Sequence, residues 1–429
     1  MAQTGRDILI KLISDPQFQQ MAGPVADWIE RSRNSRHDPE RLLKLQGELA
    51  TQILYFQAQR QEFEADKRLH DEHSPMKIEL EKGIAHAKRG IRIVKDIADG
   101  IAWRALRYDR LAIRQLANKP HTGALILDSI QPELAAALIH AQRTGDVVVV
   151  NDLTNFLRFG DFTAVREEGV MVAEVKQGRG SARSGRAKRQ SRRLEKTLDF
   201  INAGVGIAPG GSPAVLLPTS TSARSHIGQL RQLLRESAKR GFAYARLTDS
   251  LAVEVFRPAL MADQDPYKTV FHNPFSQSPR CLVYHSYEFF DVWSPNLAPV
   301  SIFPLAQGDC AAILTGSVWI FSYLNLDNII RSFRRRGFQA QLPSPSDFEA
   351  LAELRPGEYA YHELDAPIRV GRKNGVMLAM SFAVLGRIHF EFLDEESLAD
   401  QIEEVLDLDL QEEISFLGVG FANEADLWD

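Results

Sequence analysis

The chain has 429 residues, 44% of them hydrophobic and 25% charged, with a formal net charge of −5. This length allows two or three domains with sizeable cores, and the composition is that of an ordinary globular protein. Two cysteines, Cys281 and Cys310, exclude a disulfide framework and a multi-cysteine zinc site, and they fit a reducing cytosol.

No apolar run approaches the length of a membrane span, and Met1-Ala2-Gln3-Thr4-Gly5-Arg6 has no secretory pattern. The expectation is a cytoplasmic protein without a membrane partner. The net charge hides an asymmetry. Lys176 to Lys196 holds nine Lys/Arg against one acid, Glu195, whereas Glu391 to Asp429 holds fourteen Asp/Glu and no Lys or Arg. Basic middle and acidic end nearly cancel.

Leu42, Leu45, Leu49, Ile53 and Phe56 recur at helical spacing, as do Val94, Ile97, Ile101, Ala105 and Tyr108. Ser74-Pro75 marks a break between two long helices. Residues 1–122 are therefore predicted to be a helical domain. Its antiparallel helix pair offers a surface for a homodimer, although intramolecular packing is the commoner outcome.

After Lys119-Pro120 the pattern alternates. A helix is predicted over Pro132–Arg143, with Pro132 at its first position, followed by strands at Val147–Val150, Asp161–Val165 and Val170–Lys176. A helix at Arg186–Ala203, a strand at Ala214–Leu217, a helix at Ile227–Arg240 and a strand at Phe242–Leu247 complete residues 123–262. This order predicts an α/β central domain with a mixed sheet.

Residues 263–429 read as an α+β domain. Its predicted strands are Cys281–Tyr284, Val318–Phe321, Gly375–Val384 and Arg387–Phe392. A helix at Leu326–Arg336 ends in three arginines, and Leu398, Ile402 and Val405 give the acidic end the spacing of a docked amphipathic helix.

The chemistry is concentrated at one place. Alternate strand residues share a face, so Glu174 and Lys176 point the same way across Val175. A turn near Glu167-Glu168-Gly169 brings Asp161 back beside them. Two carboxylates and the Val175 carbonyl offer hard oxygen ligands to Mg²⁺ or Mn²⁺, which would lower the pKa of a bound water and offset charge on a phosphate. Lys176 is placed to orient that water. Among all the lysines, Lys176 alone has an acid two residues before it.

These residues, Gly160-Asp161-Phe162-Thr163-Ala164-Val165 and then Glu174-Val175-Lys176, resemble the PD-(D/E)xK nuclease superfamily with its restriction-endonuclease-like fold. The resemblance covers roughly residues 125–260. It implies Asp161 and Glu174 as metal ligands, Lys176 as the catalytic lysine and Gln190 as a further site residue. Glu133 stands where many members carry an additional acid. Phe159-Gly160 replaces the proline of the superfamily pattern. The implied activity is Mg²⁺- or Mn²⁺-dependent phosphodiester hydrolysis, on DNA more than RNA by family habit. By fold-level analogy, a nuclease with large extra domains resembles bacterial antiviral defence effectors.

Arg179, Arg183, Arg186, Lys188, Arg189, Arg192 and Arg193 surround a Gly/Ser-rich loop, an arrangement suited to binding several phosphates. Helix spacing puts Arg186, Arg189 or Gln190, and Arg193 on one side. Two alternatives stand beside catalysis. One is a nucleic-acid-binding scaffold on a degenerate nuclease core. The other is a regulatory protein whose acidic end docks on its basic segment.

Other signals are weaker. Gly180–Gly185 has P-loop spacing, but Arg186 and Ala187 stand where Lys and Ser/Thr are needed. His70 and His73 fit a solvated helix face, and Cys281 and His285 fit a core. Arg334, Arg335 and Arg336 suit either the helix dipole or a phosphate.

Overall fold

The computed structural model describes residues 16–71, 74–117, 125–157, 159–166, 169–175, 194–199, 201–203, 205–207, 213–261, 274–275, 278, 280–286, 297–341, 368–372, 377–380, 382–407, 415–420 and 424–428. The chain forms two compact units. The first comprises Met1–Leu216, Ala298–Phe303 and Glu412–Gly418, and the second Leu217–Leu297, Pro304–Gln411 and Val419–Asp429.

The first unit opens with helices α1 (Pro16–Asn34), α2 (Pro39–Lys67), α3 (Pro75–Ala105) and α4 (Arg110–Leu116). Local chemistry sets their starts. Asp38 and Ser74 cap α2 and α3 by accepting from Arg41 N and Lys77 N, each at 3.1 Å, and a proline fills the first position of each helix. The apolar stripe Leu42, Leu45, Leu49, Ile53 and Phe56 is buried, as are Val94, Ile97 and Ile101 facing it. At Gly90 an added Cβ would stand 2.6 Å from the Phe56 ring, so this glycine sets how closely the helices approach.

Helix α5 spans Leu127–Thr144 and ends at Gly145, whose φ of +75° is the left-handed cap a glycine allows. It starts five residues before the predicted first position, so Pro132 lies inside the helix. The extra turn is seeded by Ile126, whose carbonyl accepts from the Ile130 amide and from the Ser129 amide and hydroxyl. Strands β1 (Val147–Val150), β2 (Phe162–Val165) and β3 (Val170–Ala173) then form an antiparallel meander, pairing Val150 with Phe162 and Phe162 with Ala173. The open edge of β1 is closed by a side chain. Gln46 of α2 donates to Val148 O and accepts from Val150 N, both at 2.8 Å, as a neighbouring strand would. Helical residues 194–199 and 201–203 follow, then β4 (Val205–Ile207) and β5 (Pro213–Pro218).

In the second unit α6 (Ile227–Arg240) packs on β6 (Phe242–Arg246) and β7 (Leu251–Phe256). With β8 (Cys281–His285) and β9 (Trp319–Asn325) these strands form a four-stranded sheet of order β6-β7-β9-β8. Helices α7 (Gln307–Thr315) and α8 (Leu326–Arg335) flank β9 in sequence, and β10 (Gln339–Gln341), β11 (Ile368–Gly371) and β12 (Met377–Met380) make a three-stranded sheet. Helices α9 (Phe382–Phe390) and α10 (Glu395–Leu406) follow, and β13 (Ser415–Gly420), most of which belongs to the first unit, joins β5 and β4.

Arg387–Phe392 is thus not a strand, and the strand predicted to reach Val384 gives way to α9 from Phe382 on. Ile388, Phe390 and Phe392 are buried, and so are Arg387, His389 and Glu391 between them. The alternation of polar and apolar residues therefore marks no exposed face, and the Arg387–Glu391 ion pair at 3.2 Å closes one helical turn. Every ladder with a described register runs antiparallel, so the parallel component of the predicted mixed sheet is not among them. The acidic amphipathic helix is present as α10, with Leu398, Ile402 and Val405 buried.

Candidate functional site

Four acids from four places in the first unit are linked electrostatically, Asp161 to Asp152 and Glu174, and Glu133 to Asp152 and Asp161. Glu133 comes from α5, Asp152 from the 3-10 turn Asn151–Leu153 after β1, Asp161 from the residue before β2, and Glu174 from the residue after β3. Phe162 and Ala173 are the last pair of the β2–β3 ladder, Asp161 and Glu174 flank that pair, and Asp161 N donates to Ala173 O at 2.8 Å. The amide of Val175 donates to the Asp161 carboxylate.

The turn before Asp161 is held from beneath. Asn151, buried, donates its backbone amide to Asp161 O at 2.9 Å and its side-chain amide to Phe159 O at 2.6 Å. Its side-chain oxygen accepts from Thr163 Oγ1 at 2.9 Å. Gly160 has φ +66°, and a Cβ there would stand 2.6 Å from Ala173 O, so no proline or other side chain fits where the superfamily pattern would place one. Helix α3 grips the same loop. Lys95 donates to Asp152 O at 3.2 Å and Thr154 O at 3.3 Å, and Asp99 accepts from both the amide and the side chain of Asn155 at 2.7 Å.

The electrostatics are those of a crowded anionic site. Burial pushes the Glu133 carboxyl up to about 8, with the charges of Asp152 and Asp161 adding to the effect. Its Oε2 is buried and has no hydrogen-bond partner among the described residues. Burial also raises Asp161, opposed by the Val175 amide and reinforced by Asp152 and Glu174. The donors are hard oxygens, the ligand type Mg²⁺ and Mn²⁺ take. An orphaned carboxylate oxygen beside other acids is a group a cation would satisfy. Among the described residues, however, no group of three or more His, Cys, Asp and Glu is arranged to hold a metal ion.

Of the predicted site residues, the structure brings Asp161 and Glu174 together and sets Glu133 within electrostatic reach of Asp161. Glu174 is exposed, and it and Val175 lie just past the end of β3. Lys176, Gln190, Arg179, Arg183, Arg186, Lys188, Arg189, Arg192 and Arg193 lie outside the described residues. Two residues went unread in the sequence, Asn151 and Asp152. The available signal was an Asn-Asp pair directly after the buried run Val147–Val150, where a strand end presents side chains.

Among the weaker signals, Gly180–Gly185 and His73 lie outside the described residues, and the cysteine and arginine signals have structural partners. Burial pushes the Cys281 thiol up to about 12, away from reactivity, and buried His285 packs against Trp319 and Phe321 at centroid distances of 5.0 and 4.5 Å. Arg336 pairs with Glu396 and Asp400, each at 2.7 Å, and Arg334 donates to Ala340 O at 2.9 Å.

No helix among the described residues is long and apolar enough to cross a membrane. In comparisons with known proteins, no family model, no curated protein and no solved structure matches the chain.

Proposed function

We propose that the chain is a metal-dependent nuclease of the PD-(D/E)xK type, hydrolysing phosphodiester bonds in nucleic acid, DNA before RNA. The observation that carries this reading is that Asp161 and Glu174 flank the last pair of the β2–β3 ladder within electrostatic reach of each other, with the Val175 amide on the Asp161 carboxylate. The buried Glu133 Oε2, without a hydrogen-bond partner among the described residues, supports it.

In this reading Asp161, Glu174 and the Val175 carbonyl hold Mg²⁺ or Mn²⁺, with Glu133 as the additional acid. A bound ion would supply a water of lowered pKa and offset charge on the phosphate. The residues of the chain do the rest. Lys176 orients the attacking water, Gln190 lines the site, and the arginines and lysine from Arg179 to Arg193 bind flanking phosphates. Continuity of chain supports the last role, because the basic segment begins directly after Val175. After it come helical residues 194–199 and 201–203, where Asn202 accepts from Val170 N at 3.1 Å.

One observation favours a second reading, a nucleic-acid-binding protein on a degenerate nuclease core. The described acids do not by themselves form a metal-holding group. A cleavage panel separates the two: plasmid, linear and single-stranded DNA and RNA, with Mg²⁺ or Mn²⁺, for wild type, Glu174→Ala and Lys176→Ala. The nuclease reading expects cutting by wild type alone with binding retained in both variants. Binding without cutting in all three supports the second reading.

A further inference from the structure

The first unit contains six residues, Ala298–Phe303, that are separated in sequence from the rest of it and whose flanking residues belong to the second unit. Val300, Ser301, Ile302 and Phe303 are buried, and Val300–Ile302 forms a 3-10 turn. The segment is held mainly through its backbone. The Asp96 carboxylate accepts from Val300 N at 3.2 Å and Ser301 N at 3.1 Å, and the Asp96 carbonyl accepts from Ser301 Oγ at 2.7 Å. Arg33 of α1 donates to Phe303 O at 2.7 Å, and Arg104 of α3 donates to Ser301 O at 3.0 Å. Gly100 leaves the room, since a Cβ there would stand 2.4 Å from Ser301 Oγ.

A carboxylate on amide donors, two guanidinium groups on carbonyls and a glycine floor form a receptor for a short apolar peptide in a tight turn. Backbone recognition of this kind reads shape, with Ile302 and Phe303 supplying buried apolar area.

The same stretch of α3 serves a second client. Lys95 and Asp99 hold the Asn151–Asn155 turn, whereas their neighbours Asp96 and Gly100 hold the strap. Adjacent residues on one helical turn thus alternate between the two. A displacement of α3 that follows loss of the strap moves the turn that carries Asp152.

We propose that Arg33, Asp96, Gly100 and Arg104 form a peptide-binding seat, filled in cis by Ala298–Phe303, and that an occupied seat holds the Asn151–Asn155 turn in place. The functional weight of that turn rests on reading the carboxylate cluster as the site.

Gly100→Ala tests this directly. Alanine is the better helix former, so α3 is not weakened, while the added methyl clashes with the Ser301 hydroxyl and displaces it from the Asp96 carbonyl. Amide hydrogen exchange by mass spectrometry is compared for wild type, Gly100→Ala and Ser301→Ala, which removes only the hydroxyl. The expected result is exchange at least about ten-fold faster in both 298–303 and 151–157 for Gly100→Ala, a smaller rise for Ser301→Ala, and no change in β7 and β9. Unchanged exchange in the strap, or a faster strap with an unchanged 151–157 turn, overturns the proposal. So does uniformly faster exchange along the chain in both variants. Exchange needs no catalysis. A wild type that cuts nothing in the cleavage panel therefore removes the nuclease reading and leaves the strap result standing.

Discussion

The backbone amide of Val175 donates to the carboxylate of Asp161, joining the second residue after β3 to the residue before β2. Residues fourteen apart in the chain are thereby fixed in one geometry, with Glu174 within electrostatic reach of Asp161. If this pair holds a divalent ion, Asp161→Ala and Glu174→Ala each lower kcat by about 10³-fold or more, because removing a ligand removes the ion's whole contribution. Nucleic-acid affinity in EDTA stays within about three-fold, since phosphate contacts come from elsewhere. Cleavage assays beside fluorescence anisotropy check this. A variant that still cuts at the wild-type rate would sink the assignment.

Asn151 shapes the turn that presents Asp161, so its loss acts on the site before it acts on the fold. Asn151→Ala is expected to lower kcat by about 10²-fold with KM little changed, the signature of a misplaced reacting group. Thr163→Val, which removes the hydroxyl donating to Asn151 Oδ1, should do the same more weakly, and Thr163→Ser should restore activity. Equal losses in the valine and serine variants would show that packing at residue 163, and not the hydroxyl, matters.

The local features of this architecture were legible and the long-range ones were not. The stripes of α2 and α3, the break at Ser74-Pro75, strand Val147–Val150 and helix Ile227–Arg240 follow from periodicity and turn chemistry within one segment. Asp161 and Glu174 were legible because a short hairpin leaves little freedom of register. Asn151 and Asp152 were not, because their importance lies in partners that reach them through space. Gln46 is the clearest case. Nothing near it in sequence says that its amide will stand in for a strand beside β1. Arg387–Phe392 misled because period-two alternation implies one exposed face only when the polar residues meet solvent, and here Arg387, His389 and Glu391 are buried.

Gln46 makes a prediction about stability. Gln46→Leu keeps the side-chain bulk but leaves Val148 O and Val150 N without that partner in a buried place. The expected loss is about 2–4 kcal/mol from two unsatisfied backbone groups, read by urea denaturation followed through a first-unit probe such as Trp103. A loss below about 0.5 kcal/mol would mean that water or a shift of β1 replaces the side chain.

Among the described residues, the acidic helix α10 and its cap Asp394 make ion pairs inside the second unit. Arg336 meets Glu396 and Asp400, Arg372 meets Glu403, and Arg224 meets Asp394. Truncation after residue 393 would therefore strip Leu398, Ile402 and Val405 from a core as well as removing charge. Arg336→Ala is the sharper probe. It should cost about 1 kcal/mol, less at high salt, and change nucleic-acid affinity by less than about two-fold. A ten-fold weaker affinity would instead make Arg336 a phosphate contact.

In the second unit, buried Glu254 on β7 accepts from Tyr323 Oη on β9 at 2.7 Å, and burial pushes its carboxyl up to about 7. The unfolded carboxyl titrates near 4.3. The folded state therefore binds the proton more tightly, and the stabilisation this gives is present below pH ~4 and is lost as pH rises towards 7. Glu254→Gln keeps an acceptor for Tyr323 and cannot ionise. It should match wild type near pH 4, then gain progressively as wild type loses, and lead by about 1–3 kcal/mol above pH ~7.5. Thermal or urea unfolding at pH 4, 6 and 8.5 measures the gap. If the glutamine variant is the less stable protein at pH 8.5, Glu254 is ionised and compensated in the folded state, and the burial argument fails.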